Sequence, residues 1–287
     1  MRRAILILAL LFPIAGALAQ EVPPWFAPSL LQLPEEIADA AKEGKRVMLY
    51  FEQNGCPYCK RMVEVNFADP AIAAFMQRRF VSIALNIWGD REVTAPDGRA
   101  STEKQLAAAL KVQFTPTLLF LDEKGGVAVR INGYYPPDRF RVALERAATA
   151  SAAARPATPR GVKPRHGKPL AVLFESPKCA ACDELRGTTL RDDSVARQLA
   201  AFDFERAPIA GAWAKDLGVG YAPTLALFEP GGTEVLRLEA YFRPFHVAGA
   251  LEYVSSGAWR SEPSFQRFLP ARAERLRREG ASVDLWN

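Results

Sequence analysis

A chain of 287 residues, with 49% hydrophobic and 24% charged side chains, has the composition of a globular protein and the length for two domains that each bury a core. Its formal charge of +5 falls to +3 without Arg2 and Arg3 of an N-terminal leader. No face of interleaved basic and aromatic residues accompanies that excess, so nucleic acid is not an expected partner.

The leader, MRRAILILALLFPIAGALAQ, combines a basic start, an apolar stretch, and Ala17 and Ala19 in an A-x-A arrangement. This pattern predicts a signal peptide over residues 1–19, cleaved after Ala19. Pro13 interrupts the apolar run, which falls short of the roughly 20 residues a membrane span needs, and no later segment qualifies. The mature protein is therefore expected in the periplasm without stable membrane insertion, where disulfides persist.

Residues 25–148 read as a first domain. An apolar strand, VMLYF, is followed by Glu52 and then Cys56-Pro57-Tyr58-Cys59, and CKRMVEVNF has helical patterning. Later FTPTLLFLDEKGG predicts a strand running into a glycine-containing hairpin, and INGYYPPDRFRVALERA a strand and closing helix. Residues 149–168, within TASAAARPATPRGVKPRHGKP, contain no acidic residue and too little apolar surface to fold, so they read as a linker. Residues 169–257 then repeat the order: LAVLF, Glu175, Cys179-Ala180-Ala181-Cys182, the helical CDELRGTTL, YAPTLALFEPGG and LEAYFRPFHVAGALEYV. Pro116 lies 60 residues after Cys56 but Pro223 only 44 after Cys179, and the extra 16 residues fall around NIWGDREVTAPDGRASTEK, read as a surface insertion. In residues 258–287, Phe265, Phe268, Leu269 and Leu276 have helical spacing opposite many arginines, which predicts a C-terminal helix packed on the second domain. The fold class is α/β, each half a mixed sheet flanked by helices.

All four cysteines sit in the two CxxC pairs. A cysteine at a helix N-cap has its sulfur beside unpaired N–H groups and the positive end of the helix dipole, which favours thiolate. A second cysteine three residues on can close a disulfide with it, so the pair can attack a substrate disulfide and resolve the mixed intermediate. Pro57 suits the first helical position. A four-thiolate zinc site would bring the pairs much closer in sequence than the hundred-odd residues between them, so no metal is expected, and no CxxCH for covalent haem occurs. Of the two histidines, His166 falls in the linker and His246 in the last helical segment of the second domain; no GxSxG, Walker loop or dinucleotide fingerprint is present.

Strand, CxxC, helix, x-Pro-Thr strand and glycine hairpin, twice over, resemble the thioredoxin superfamily. The first half, with CPYCKRM, GDREVT and TPTLLFLDEKG, is similar to exported bacterial thioredoxin-like proteins, including the SoxW type. The resemblance implies two tandem thioredoxin-like domains without a cofactor, acting as a thiol:disulfide oxidoreductase. It implies Cys56 and Cys179 as nucleophiles and Cys59 and Cys182 as resolving thiols. Pro116 and Pro223 would be cis prolines, leaving the backbone of Thr115 and Ala222 to pair with an extended substrate. Protein disulfides as substrates and a membrane electron donor follow, with disulfide reduction favoured over oxidation or isomerisation. Copper binding by one dithiol and a second domain that only binds protein are the alternatives of another kind. The chain departs from the family in its Pro-Tyr dipeptide, in lacking a Trp before either pair, and in Tyr50 and Leu173 where a buried acid is usual; Glu52 and Glu175 are candidates to substitute for that acid, with solvated caps at the strand ends as the other reading.

Overall fold

The computed structural model describes residues 22–152, 164, 167–239 and 243–283, so the signal peptide, most of the linker and His166 lie outside the described residues. Two four-stranded mixed sheets with helices on both faces make up the α/β fold. In the first, β1 (Arg46–Glu52) runs parallel to β2 (Phe80–Asn86) and antiparallel to β5 (Thr117–Leu121), which pairs with β6 (Val127–Asn132). Successive side chains of a strand point to opposite faces. Met48 and Tyr50 therefore enter a core with Phe67, Phe120 and Phe140, while Val47, Leu49 and Phe51 enter another with Leu33 and Leu85.

The second sheet repeats this order with β7 (Leu170–Glu175) parallel to β8 (Asp203–Pro208) and antiparallel to β9 (Thr224–Phe228), itself paired with β10 (Glu234–Glu239). The closing helices are α5 (Pro137–Ala147) in the first half and α9 (Pro244–Ser255) in the second. α10 (Phe265–Arg278) packs on α9 as its apolar spacing predicts, with Phe265 and Phe268 against Tyr253 and Arg272 paired to Glu252 at 2.7 Å. Leu276, expected on the same face, is only half-buried. Among the described residues, no helix is long and apolar enough to cross a membrane.

Two features differ from the sequence reading. Residues 33–42, given no element, form α1 (Leu33–Lys42), a helix begun with a proline and two glutamates in its first turn, which covers the second core with Leu33, Ile37 and Ala40. The insertion is not confined to the surface. Its hairpin, β3 (Glu92–Thr94) and β4 (Ala100–Thr102), sinks Val93 and Ala95 into the core under α1. Glu103, the first residue of α4 (Glu103–Ala109), is buried with its carboxylate accepting from Asn86 N at 2.9 Å and Arg91 at 2.6 Å. Gly89 passes so close to that carboxylate that a Cβ has no room.

The two halves meet along their outer strands. Asn132, opposite Thr117 in β6, and Glu239, opposite Thr224 in β10, occupy equivalent positions, and Asn132 N donates to Glu239 Oε2 at 3.0 Å. Tyr135 OH donates to the same oxygen at 2.8 Å, and Gln113 Nε2 to Val235 O at 2.9 Å. Phe114 packs against the core of the second half, while Tyr221, its counterpart, packs against that of the first and meets Tyr135 at 4.1 Å between ring centroids. From α10, Gln266 N donates to Gln113 O at 3.0 Å and Arg267 lies 4.8 Å over Trp88.

Candidate active site

Cys56 is the N-cap of α2 (Pro57–Arg61), which continues as a π-turn over Met62–Phe67. Cys179 is the N-cap of α6 (Ala180–Gly187). Each caps its helix in the same way, its sulfur accepting the N–H of the cysteine three residues on: Cys59 N to Cys56 Sγ at 3.0 Å and Cys182 N to Cys179 Sγ at 3.1 Å. These are among the N–H groups a helix leaves unpaired at its start, and a negative sulfur there is favoured by the helix dipole as well. Cys56 is joined to Cys59, and Cys179 to Cys182, each with 5.2 Å between Cα atoms. Cys59 and Cys182 are fully buried; Cys56 is 4% exposed and Cys179 half-buried.

The Thr115–Pro116 and Ala222–Pro223 peptide bonds are both cis. The structure brings each beside the CxxC of its own half. Thr115 Oγ1 lies 3.3 Å from Cys56 Sγ, and Ala222 O lies 3.8 Å from Cys179 Sγ. Behind each cis bond the same turn is held by the strand threonine, Thr117 Oγ1 donating to Phe114 O at 2.8 Å and Thr224 Oγ1 to Tyr221 O at 2.7 Å.

The two sites differ in the groups below the sulfurs. Tyr50 OH reaches Cys59 O at 3.4 Å, whereas the equivalent Leu173 is apolar core. Glu52 and Glu175 diverge as well. Glu52 carries an Oε2 that is buried without a hydrogen-bond partner, and burial, with the nearby Glu103 carboxylate, pushes its pKa up to about 7. Glu175 is instead fixed between Arg206 at 2.6 Å and Arg186. His246 is set apart from this chemistry: burial, then Arg243, lowers its pKa to about 4, which keeps it neutral near pH 7.

Some residues at the sites were not singled out in the sequence. Trp88 of the insertion donates Nε1 to Gln53 Oε1 at 2.7 Å, three residues before Cys56. Asn66, buried in the π-turn, donates to Tyr135 O at 3.0 Å and so ties the CxxC helix to the start of α5. An asparagine in an otherwise amphipathic helical stretch carries no signal of burial, and the Trp88 contact joins segments 35 residues apart.

Sulfur pairs closed at helix mouths, each facing a cis proline, define a thiol:disulfide oxidoreductase. The family model described as "Thioredoxin-like domain" matches residues 33–148 and again 162–255, and the chain belongs to that family. No curated protein matches it. Similar solved structures include a thioredoxin from Thermus thermophilus, 30% identical with a TM-score of 0.33, the match covering 41% of this chain and 85% of that one. A thioredoxin-fold protein from Helicobacter pylori is 15% identical with a TM-score of 0.35, covering 38% of this chain and 84% of the other. The DsbD C-terminal domain of Neisseria meningitidis, in the reduced form, is 18% identical with a TM-score of 0.29, covering 31% and 84% respectively.

Proposed function

We propose that this chain is an exported disulfide reductase of the periplasm, active on protein disulfides at both CxxC pairs and recharged by a membrane dithiol donor. In each cycle the thiolate of Cys56 or Cys179 attacks one sulfur of the substrate disulfide, and the other leaves as a thiolate that takes up a proton. Cys59 or Cys182 then loses its proton and attacks the mixed disulfide, releasing the second substrate thiol and leaving the CxxC oxidised by two electrons. The donor returns those two electrons. The observation that carries the reading is the capping of α2 and α6 by Cys56 and Cys179, which offers each attacking sulfur an N–H and a helix start. Thr115 and Ala222, beside the sulfurs, have the place at which an extended substrate backbone can pair. Glu52, at the end of the strand leading into the first CxxC and held near neutrality, is suited to take the Cys59 proton.

Equilibration with defined glutathione ratios, followed by quenching and mass spectrometry of each pair, tests the direction. A reductase is expected to lie nearer the roughly −270 mV of thioredoxin than the roughly −120 mV of strong oxidants, and a value at the oxidising end overturns the proposal. Export is tested by fractionating cells that express the full chain: the mature form should start at Gln20 in the periplasm, and an uncleaved cytosolic form contradicts it.

A further inference from the structure

The cis-proline loop of the second half borders a cavity whose lining includes the residue beside the sulfur. Beside Ala222, whose carbonyl lies 3.8 Å from Cys179 Sγ, a cavity of about 160 Å³ opens between the halves. Its far wall is α5 of the first half, which presents Arg139, Val142 and Arg146 opposite Ser176, Tyr221 and Ala222. Spacings of three and four residues put these three side chains on one helix face. Val142 is 64% exposed, Arg139 and Arg146 are exposed too, and neither arginine has an ion-pair partner among the described residues. The Arg146 guanidinium stands over Gly220, and the Tyr135–Tyr221 contact holds α5 and the cis-proline loop together. Lys178, next to Cys179, is exposed as well. The acids beside this wall are Asp138 and Glu145, exposed next to Arg139 and Arg146 on α5, and the Glu239 carboxylate at its base is already occupied by Asn132 and Tyr135. Along the loop of the first site a cavity of about 290 Å³ is lined by Gln113 and Phe114 against β10, but Thr115, the residue beside Cys56 Sγ, does not line it, whereas Ala222 does line the cavity at the second site.

We infer that the α5 face of the first half is a docking surface for substrates of the second: Arg139, Val142 and Arg146 hold an extended acidic segment flanking the disulfide that Cys179 attacks. From Arg139 to Arg146 the helix rises about 10 Å, and alternate residues of an extended peptide share a face about 7 Å apart, so two carboxylates four positions apart reach both guanidiniums and an apolar residue midway between them meets Val142. The first half thereby sets the specificity of the second. The inference rests on the second pair being redox active, as proposed above.

The test uses the full chain with Cys56→Ser and Cys59→Ser, so that only the second pair reacts. Two disulfide-linked peptides are compared, identical except for Glu or Lys on either side of the cysteine. The acidic peptide should be reduced about fivefold faster at low salt, an advantage that shrinks as salt screens it and collapses toward unity with Arg139→Gln and Arg146→Gln together. Equal rates for the two peptides, or a preference that survives the double substitution, overturn the docking surface. Fluorescence anisotropy with serine in place of the peptide cysteine separates docking from chemistry. Arginine-dependent binding of the acidic peptide without turnover supports the surface and defeats the redox reading of the second pair. Binding without charge preference defeats the surface alone.

Discussion

At the scale of single residues, the two acids ahead of the cysteines have the same place in the sequence and different fates. Glu175 is neutralised by Arg186 and Arg206, whereas Glu52 has lost water around its Oε2 without gaining a donor there. Because burial raises its pKa from 4.5 to about 7, the folded chain holds this proton more tightly than the unfolded chain does. The stabilisation that follows is complete below the unfolded value and is lost as pH rises through the folded one. His246, its pKa lowered from 6.5 to about 4, contributes the opposite slope below about pH 6.5, so thermal melts of the oxidised protein should show the fall in stability between about pH 6.5 and 8, and Glu52→Gln should flatten that slope. An unaltered slope in the variant would show that Glu52 is not the group responsible. The same substitution should also shift the pH dependence of the resolving step at the first site, with no change at the second.

Among the elements, the stretches that repeat are legible in the sequence alone: VMLYF and LAVLF as strands, the CxxC helices, and the x-Pro-Thr strands β5 and β9. Each has an apolar period or a turn signal confined to a few residues, and each occurs twice. α1 is harder to see although Leu33, Ile37 and Ala40 have helical spacing, since no counterpart in the second half draws attention to it. The insertion misleads for a different reason. Its turn residues point to solvent, and nothing local shows that Glu103 is buried by a backbone N–H and an arginine supplied from the preceding strand end and loop. The C-terminal helix is readable from Phe265 and Leu269, and its worth is testable. Phe265→Ala should cost the second half about 3–5 kcal/mol in denaturant unfolding, as removal of a buried aromatic side chain does elsewhere. A loss under about 1 kcal/mol would mean that α10 is a loosely held appendage.

Across the whole molecule, a line of contacts runs from one CxxC helix to the loop of the other: Asn66 to the Tyr135 carbonyl, and Tyr135 through its ring to Tyr221 and through its hydroxyl to Glu239. None of this is visible in the sequence, because contacts between halves depend on how two separately patterned domains are placed. Tyr135→Phe removes one of the two donors to a fully buried carboxylate, which should weaken the contact between the halves by about 1–3 kcal/mol. Faster hydrogen exchange of the Asn132 amide and of β10 is the expected sign; unchanged protection would show that the hydroxyl does not hold the halves together. The chemistry of both sites depends on what the helix starts do to Cys56 and Cys179. The most direct measurement is the rate of iodoacetamide alkylation of each cysteine in the fully reduced chain as a function of pH, read by mass spectrometry. Cys56 and Cys179 should react as thiolates with apparent pKa values at least about one unit below the roughly 8.5 of a free cysteine, ahead of Cys59 and Cys182. If all four titrate at or above that value, or the buried partners react first, activation of the sulfurs by the helix starts is contradicted.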